Sequence, residues 1–203
     1  MSEAREEILA NVRRALAAAD TSPVTVPRSY RDAGMPDPGA MLDLFVDRVA
    51  DYRATVVRCS AAEVEARIAE ALPDGAGVVV PDGLPWQVPG ALVDSGPAGL
   101  SSADLDGLDA VVTAATVGIA TTGTIVLSHG PGEGRRAVTL VPDLHVCVVR
   151  ADQVVADVPD AVALLDPGRP TTWISGPSAT SDIELDRVEG VHGPRTLHVL
   201  VVS

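Results

Sequence analysis

The segment from Ile174 to Glu184 combines hydroxyl groups, a glycine and two carboxylates just after a predicted strand. Gly176 permits a positive φ angle or the close approach of a ligand. In an open α/β sheet ligands gather at the carboxyl ends of strands, so we expect this segment to lie at such an edge. The free amides at the expected helix start suit a carboxylate or phosphate, whereas a plain capping box at Ser181–Glu184 fits equally well. Its candidate ligand-binding residues are Gly176, Pro177, Ser178, Thr180, Asp182 and Glu184.

A second segment rich in glycine and threonine, residues 118–124, precedes another predicted strand. It matches neither the dinucleotide-binding pattern nor the phosphate-binding loop that ends in lysine. It either offers hydroxyls and amides to the same ligand or forms a tight turn whose threonines pack in a sheet. Its candidate ligand-binding residues are Gly118, Thr122, Gly123 and Thr124.

Three other groups of side chains offer ionic or acid–base chemistry. His192 lies in a Gly-Pro turn before the last predicted strand and is a candidate base and ligand-binding residue. Arg135 and Arg136 follow a flexible turn and either clamp a carboxylate or lie in a solvated loop. Asp182 and Glu184 do not share a helix face, which favours a role at the helix start over an acid–base pair.

The composition excludes several chemistries. All 15 basic residues are arginine, so no lysine can form a Schiff base or hold a phosphate. Cys59 and Cys147 are too few for an iron–sulfur cluster or a zinc site, and the four histidines lack metal-binding spacing. We therefore predict no metal and no cofactor, interpret both cysteines as buried inert thiols, and assign no catalytic residue.

Charge and hydropathy limit the class of protein. The 203 residues carry a net charge of −13, which disfavours a nucleic-acid-binding surface. The charged amino terminus is not a signal peptide, and the uncharged stretch 110–128 is too rich in threonine and glycine for a membrane span. We expect a cytoplasmic protein that binds neither nucleic acid nor membrane.

Hydrophobic patterning predicts an α/β fold with a mostly parallel sheet covered by helices, because the strands are continuous apolar runs. An N-terminal helix over 3–19 and a Pro-rich linker form the expected first region, residues 1–38, and the α/β domain covers 39–203. The other predicted helices are 39–52, one that begins with a capping box at Ser60–Glu63, a turn or two in 102–108, a weak helix over 151–165 broken near Pro159, and 182–188. The predicted strands are 54–58, 77–80, 91–93, 109–113, 124–127, 144–149, 171–174 and 196–202.

Four short motifs in this order resemble the LUD-domain family, specifically its LutC/YkgG-type lactate utilization proteins. They are Gly118-Ile-Ala-x-Thr-Gly-Thr124, Val141-Pro-Asp-Leu-His145, Gly176-Pro-Ser-x-Thr-x-Asp-Ile-Glu184 and Gly190-Val-His-Gly-Pro194. The resemblance covers nearly the whole chain. It implies a fold similar to the NagB/RpiA/CoA-transferase architecture and a role beside two iron–sulfur proteins in oxidising L-lactate to pyruvate.

Two departures from the family pattern bear on catalysis. Thr121 stands where the family commonly has an acidic residue, and Ala179 where it has a basic one. With no lysine either, the chain is more compatible with an auxiliary subunit than with a catalyst.

Three hypotheses follow. The first is an auxiliary subunit that binds a small carboxylate or an iron–sulfur partner. The second is a stand-alone enzyme acting on a phosphorylated or CoA-linked metabolite through His192, Asp182 or Glu184. The third is a ligand sensor or interaction module that assembles through the first helix and the linker.

Overall fold

The computed structural model describes residues 3–20, 22–27, 37–96, 99–180, 188–189 and 193–203. The chain forms two compact units, Met1–Asp32 and Ala33–Ser203. The first contains helix α1 (Glu3–Leu16), one turn shorter than predicted. Its apolar side chains Ile8, Val12 and Leu16 are all exposed. The predicted region boundary after residue 38 stays a prediction.

A six-stranded sheet forms the centre of the second unit. In chain order its strands are β1 (Thr55–Cys59), β2 (Val78–Pro81), β3 (Leu92–Asp94), β4 (Ala110–Ala114), β7 (Leu144–Arg150) and β12 (Thr196–Val202). They lie in the order β1-β12-β7-β4-β2-β3 and every neighbouring pair is parallel. This confirms the predicted parallel sheet.

The described residues of this unit contain four α-helices, and the local sequence explains where they begin. Helix α2 starts at a proline after Asp37, whose carboxylate accepts the amide of Ala40 at 3.0 Å. The helix that begins after Ser60 differs from the prediction: the Ser60 hydroxyl donates to the Glu63 carboxylate, and residues 61–63 form a turn. The helices are α2 (Pro38–Asp51), α3 (Val64–Ala71), α4 (Ser102–Asp106) and α5 (Val158–Leu164), with 3-10 helices at Arg136–Thr139 and Ala151–Gln153.

Two smaller sheets were not predicted. One has the order β8-β5-β6-β9 and consists of β5 (Val117–Ile119), β6 (Thr124–Leu127), β8 (Val154–Val155) and β9 (Thr172–Ile174). The other is a short pair, β10 (Ala179–Thr180) with β11 (Val188–Glu189).

These sheets correct three predictions. Residues 117–119 form a strand rather than part of a loop, because β5 pairs with β6. Residues 151–165 hold a 3-10 helix and β8 before α5, and Pro159 lies in the first turn of α5 rather than breaking it, since the first turn needs no proline N–H. Val188 is in a strand rather than at the end of a helix, while residues 182–187 of that predicted helix lie outside the described residues.

The large sheet is buried on both faces. On one face, Val199 and Val201 of β12 pack with Phe45 and Val49 of α2 and with Ile125 of the small sheet. On the other face, the neighbouring residues of β12 and β7 pack with α3 and the segment around Trp86. One face of the large sheet is therefore covered by α2 together with the small sheet, and the other face is covered by α3 and the segment around Trp86.

Phe45 joins the two sheets and is a test of this packing. It is fully buried, and its ring lies against Gly118 of β5. We expect Phe45→Ala to lower the free energy of unfolding by about 3–5 kcal/mol because it removes a large buried ring and leaves a cavity. In urea unfolding, the half-exposed edge residue Leu92 provides the control, since Leu92→Ala should change the same quantity by less than about 1 kcal/mol. Equal losses in the two variants would contradict this description of the core.

Candidate functional site

The two hydroxyl-rich segments singled out in the sequence meet in the structure. The Thr122 hydroxyl donates to Thr124 Oγ1 at 2.8 Å, and Thr124 Oγ1 lies 2.8 Å from Ser175 Oγ. Ser175 in turn lines a cavity of about 260 Å³. A chain of three hydroxyls therefore connects the start of β6 with the end of β9.

The glycines of the first segment serve packing instead. A Cβ atom on Gly118 would lie 3.0 Å from the Phe45 ring, and one on Gly123 would lie 2.6 Å from the backbone of Arg48. Both residues therefore let the small sheet approach α2 closely. Gly118, Thr122, Gly123 and Thr124 are not among the residues that line the cavity.

The second segment does reach the cavity. Gly176 has a φ angle of +87°, and a Cβ atom there would lie 2.6 Å from Tyr52, so this turn requires glycine. The turn directs Ser178, whose amide donates to the carbonyl of Pro194 at 2.8 Å just before β12. Gly176, Pro177 and Ser178 all line the cavity. Thr180 is in β10, and Asp182, Glu184 and His192 lie outside the described residues.

The position of the cavity differs from the expectation. The lining includes His145, the second residue of β7, and Leu197, the second residue of β12, so it lies near the amino ends of these strands. The segment follows β9, which belongs to the small sheet, and the rule about carboxyl ends applies to the strands of the large one. Within the described part of the chain, the lining residues are Arg136, Thr139, His145, Thr172, Trp173, Ile174, Ser175, Gly176, Pro177, Ser178, Gly193, Pro194 and Leu197.

The adjacent arginines have separate roles. Arg135 donates from Nε and from a terminal nitrogen to the Asp94 carboxylate, both at 2.9 Å, and it also donates to the carbonyl of Leu100. These hydrogen bonds hold the pKa of the Asp94 carboxyl below its ordinary value. Asp94 is buried at the end of β3, so Arg135 is a structural residue.

Arg136, by contrast, lines the cavity. One terminal nitrogen donates to the carbonyl of Thr139 at 3.0 Å and to its hydroxyl at 3.2 Å. Within the described residues no carboxylate forms an ion pair with it, and partial burial lowers its pKa. A guanidinium has five N–H donors, so most of its donors remain for a ligand. The cavity therefore contains a positive charge that this part of the chain does not neutralise.

His145 is the buried polar group of the lining. Only 2% of its surface is exposed, and its Nε2 lies 2.8 Å from the Thr113 hydroxyl. Burial, and secondarily the charge of Arg136, lower the pKa of His145 to about 4. At neutral pH the imidazole is therefore uncharged and forms hydrogen bonds without adding charge.

Cys147, two residues further along β7, is also uncharged. Burial raises the pKa of its thiol to about 12. Both cysteines are free and buried, which confirms the interpretation as buried thiols. A thiol this far from ionising is a poor nucleophile.

No group of three or more His, Cys, Asp or Glu side chains in the described ranges could hold a metal ion. Among the helices found there, none is both long and apolar enough to cross a membrane.

Sequence reasoning did not assign Thr139, His145 or Ser175 as ligand-binding residues, and for Arg136 it left open a carboxylate clamp or a solvated loop. A signal for His145 was available: it interrupts the apolar run of β7, and a polar side chain in a buried strand needs a partner. The difference between Arg135 and Arg136 had no such signal, because it depends on Asp94, which is 41 residues away from Arg135.

Comparison with known proteins adds four findings. A family model described as LUD domain matches residues 102–202. A Deinococcus radiodurans protein called lactate utilization protein C is 46% identical over all of this chain and 97% of that protein. A protein of the same name from Bacillus pumilus is 37% identical over 41% of this chain and 38% of its own length. A crystal structure of a DUF162 family protein from Deinococcus radiodurans superposes with a TM-score of 0.71, with 43% identity over 83% of this chain and 99% of that one.

The low pKa of His145 predicts how stability depends on pH. Because the unfolded chain binds a proton near pH 6.5 and the folded chain only near 4, stability falls as the pH decreases between these values. The loss from this group approaches roughly 3 kcal/mol at pH 4. Asp94 has a lowered pKa, so its contribution is lost only below its ordinary value of 3.8.

Urea unfolding between pH 4 and pH 7 measures this dependence. His145→Gln should flatten the dependence of the unfolding free energy on pH. His198→Gln should flatten it less, since burial lowers the pKa of His198 but this side chain is only half-buried. An unchanged pH slope in His145→Gln would show that this imidazole does not titrate as described.

Proposed function

Because the chain belongs to the LUD-domain family of lactate utilization proteins, we propose that it is an auxiliary subunit of a lactate-oxidising system. In this proposal it binds a small carboxylate in the cavity between β9 and the amino ends of β7 and β12. It acts beside iron–sulfur proteins, which would carry the electrons.

The observation that carries the proposal is the guanidinium of Arg136, which lines the cavity and forms no ion pair with a carboxylate of the described residues. The chain has a net charge of −13, yet the cavity lining contains no Asp or Glu among the described residues. A partly desolvated cation in such a place attracts a carboxylate, and a guanidinium can bind it through two parallel hydrogen bonds.

The size of the cavity supports a small ligand. Its volume of about 260 Å³ is below the range of roughly 300–1,000 Å³ for pockets that take drug-sized molecules. Its lining also includes Thr139, Ser175 and Ser178, whose side chains carry neutral hydroxyl groups.

The reactive groups near the cavity favour an auxiliary role. His145 is uncharged at neutral pH, and Cys147 would ionise only near pH 12. Neither is poised to exchange a proton at pH 7, where the best general acid or base has a pKa close to that value.

Deletion and co-purification in the source organism test the proposal. The deletion strain should grow poorly with L-lactate as the carbon source and normally on glucose, and the tagged full-length chain should co-purify with iron–sulfur proteins. Complementation with Arg136→Gln should fail to restore growth on lactate. Arg150→Gln, which changes an exposed arginine at the opposite end of β7, should restore it.

Normal growth of the deletion strain on lactate together with no associated iron–sulfur protein would overturn the proposal.

A further inference from the structure

We propose that the cavity distinguishes a 2-hydroxy carboxylate from the corresponding 2-oxo carboxylate, and that His145 determines this specificity. Arg136 binds the carboxylate group, and the 2-hydroxyl donates a hydrogen bond to His145 Nδ1. The inference rests on the proposed carboxylate-binding function. It adds that the cavity binds the reduced, 2-hydroxy form of the ligand more tightly than the oxidised, 2-oxo form.

The first step concerns the free nitrogen of His145. Nε2 is taken by Thr113, and Nδ1 has no hydrogen-bond partner in the described residues. Every fully buried side-chain nitrogen or oxygen in this part of the chain does have a partner. Nδ1 is therefore not sealed in the core, and the cavity that His145 lines is the space from which a ligand would reach it.

The hydrogen bonds of the Thr113 hydroxyl indicate which nitrogen of His145 carries the proton. The Thr113 hydroxyl donates to Cys147 Sγ at 3.7 Å, and Sγ donates to the carbonyl of Ala114 at 3.9 Å. Because a carbonyl oxygen can only accept, the Cys147 thiol must be the donor to Ala114, and this sets the direction of the other hydrogen bonds in the series. Thr113 has a single hydroxyl proton, which goes to the sulfur, so its oxygen accepts from Nε2–H.

The third step follows from this tautomer. A neutral imidazole protonated on Nε2 has a lone pair on Nδ1, which makes that nitrogen a hydrogen-bond acceptor. The low pKa of His145 keeps the ring in this neutral form at pH 7. The cavity thus offers a donor set at Arg136 and one acceptor at His145, which matches a carboxylate next to a hydroxyl group.

A 2-oxo carboxylate does not match this arrangement. Its carbonyl oxygen has no proton to give, so it would place its lone pairs against that of Nδ1. A site built to pair with a hydroxyl discriminates against an analogue that leaves its polar group unpaired. We expect the dissociation constant of the 2-oxo acid to be at least about tenfold higher, the equivalent of about 1.4 kcal/mol.

Isothermal titration of the full-length chain at pH 7 with L-lactate, pyruvate and propionate measures this preference. L-Lactate should bind at least about tenfold more tightly than pyruvate, and propionate, which lacks the 2-oxygen, should bind more weakly than L-lactate. Arg136→Gln should lose binding of all three compounds, whereas Arg150→Gln should bind them like the unmodified protein.

Thr113 provides variants that test the role of the tautomer. Thr113→Val removes the hydroxyl that orients the ring, so the preference for lactate over pyruvate should shrink while binding still requires Arg136. Thr113→Ser retains the hydroxyl and should retain the preference. Imidazole ¹⁵N NMR provides a readout independent of binding: the His145 ring should be protonated on Nε2 in the unmodified protein and in Thr113→Ser.

The results separate this inference from the proposed function. Equal affinity for lactate and pyruvate that still depends on Arg136, or a ring protonated on Nδ1, would overturn the inference and leave carboxylate binding intact. Failure to bind any of the three carboxylates would overturn both the inference and the carboxylate-binding role, while co-purification separately tests the association with iron–sulfur proteins.

Discussion

The candidate site is organised around one positive charge that the described part of the chain does not neutralise. Arg136 is held at the cavity by two hydrogen bonds to Thr139, while its neighbour Arg135 is paired with the buried carboxylate of Asp94. Burying a cation without a partner is unfavourable, so natural sequences seldom keep one without a compensating ligand or solvent contact. A bound carboxylate would provide the negatively charged partner that the Arg136 guanidinium lacks among the described residues.

The fold positions this charge through contacts between distant segments. The bidentate pair of Arg135 with Asp94 fixes the chain immediately before Arg136 to the end of β3. On the opposite wall, the amide of Ser178 binds the carbonyl of Pro194. Arg195 pairs with Asp143, which joins the segments that lead into β12 and β7. The cavity is therefore bounded by parts of the chain that are each tied to the large sheet.

Much of the large sheet could be predicted because its strands are short apolar runs, and burial on both faces leaves such runs little alternative. The small sheet was harder, since β5 has a glycine at its centre and β8 has only two residues. Gly118 reads as part of a loop in the sequence. In the structure it is the residue that lets β5 pack against Phe45.

The candidate site could also be predicted only in part, because some of its residues depend on distant segments of the chain. Ser178 and Gly176 follow a recognisable strand, and their segment reaches the cavity. The roles of Arg136 and His145 depend on partners far away in the chain, Asp94 for the neighbouring arginine and Thr113 for the histidine. Contacts of this kind leave no periodic pattern, so they emerge only when the strands are assembled.

The most direct test of the central claim is a crystal structure of the full-length protein grown with L-lactate. We predict a ligand in the cavity, with its carboxylate against the Arg136 guanidinium and its hydroxyl within hydrogen-bond distance of His145 Nδ1. A ligand bound instead at the carboxyl ends of β2 and β3, with the Arg136 cavity filled only by water, would contradict the account.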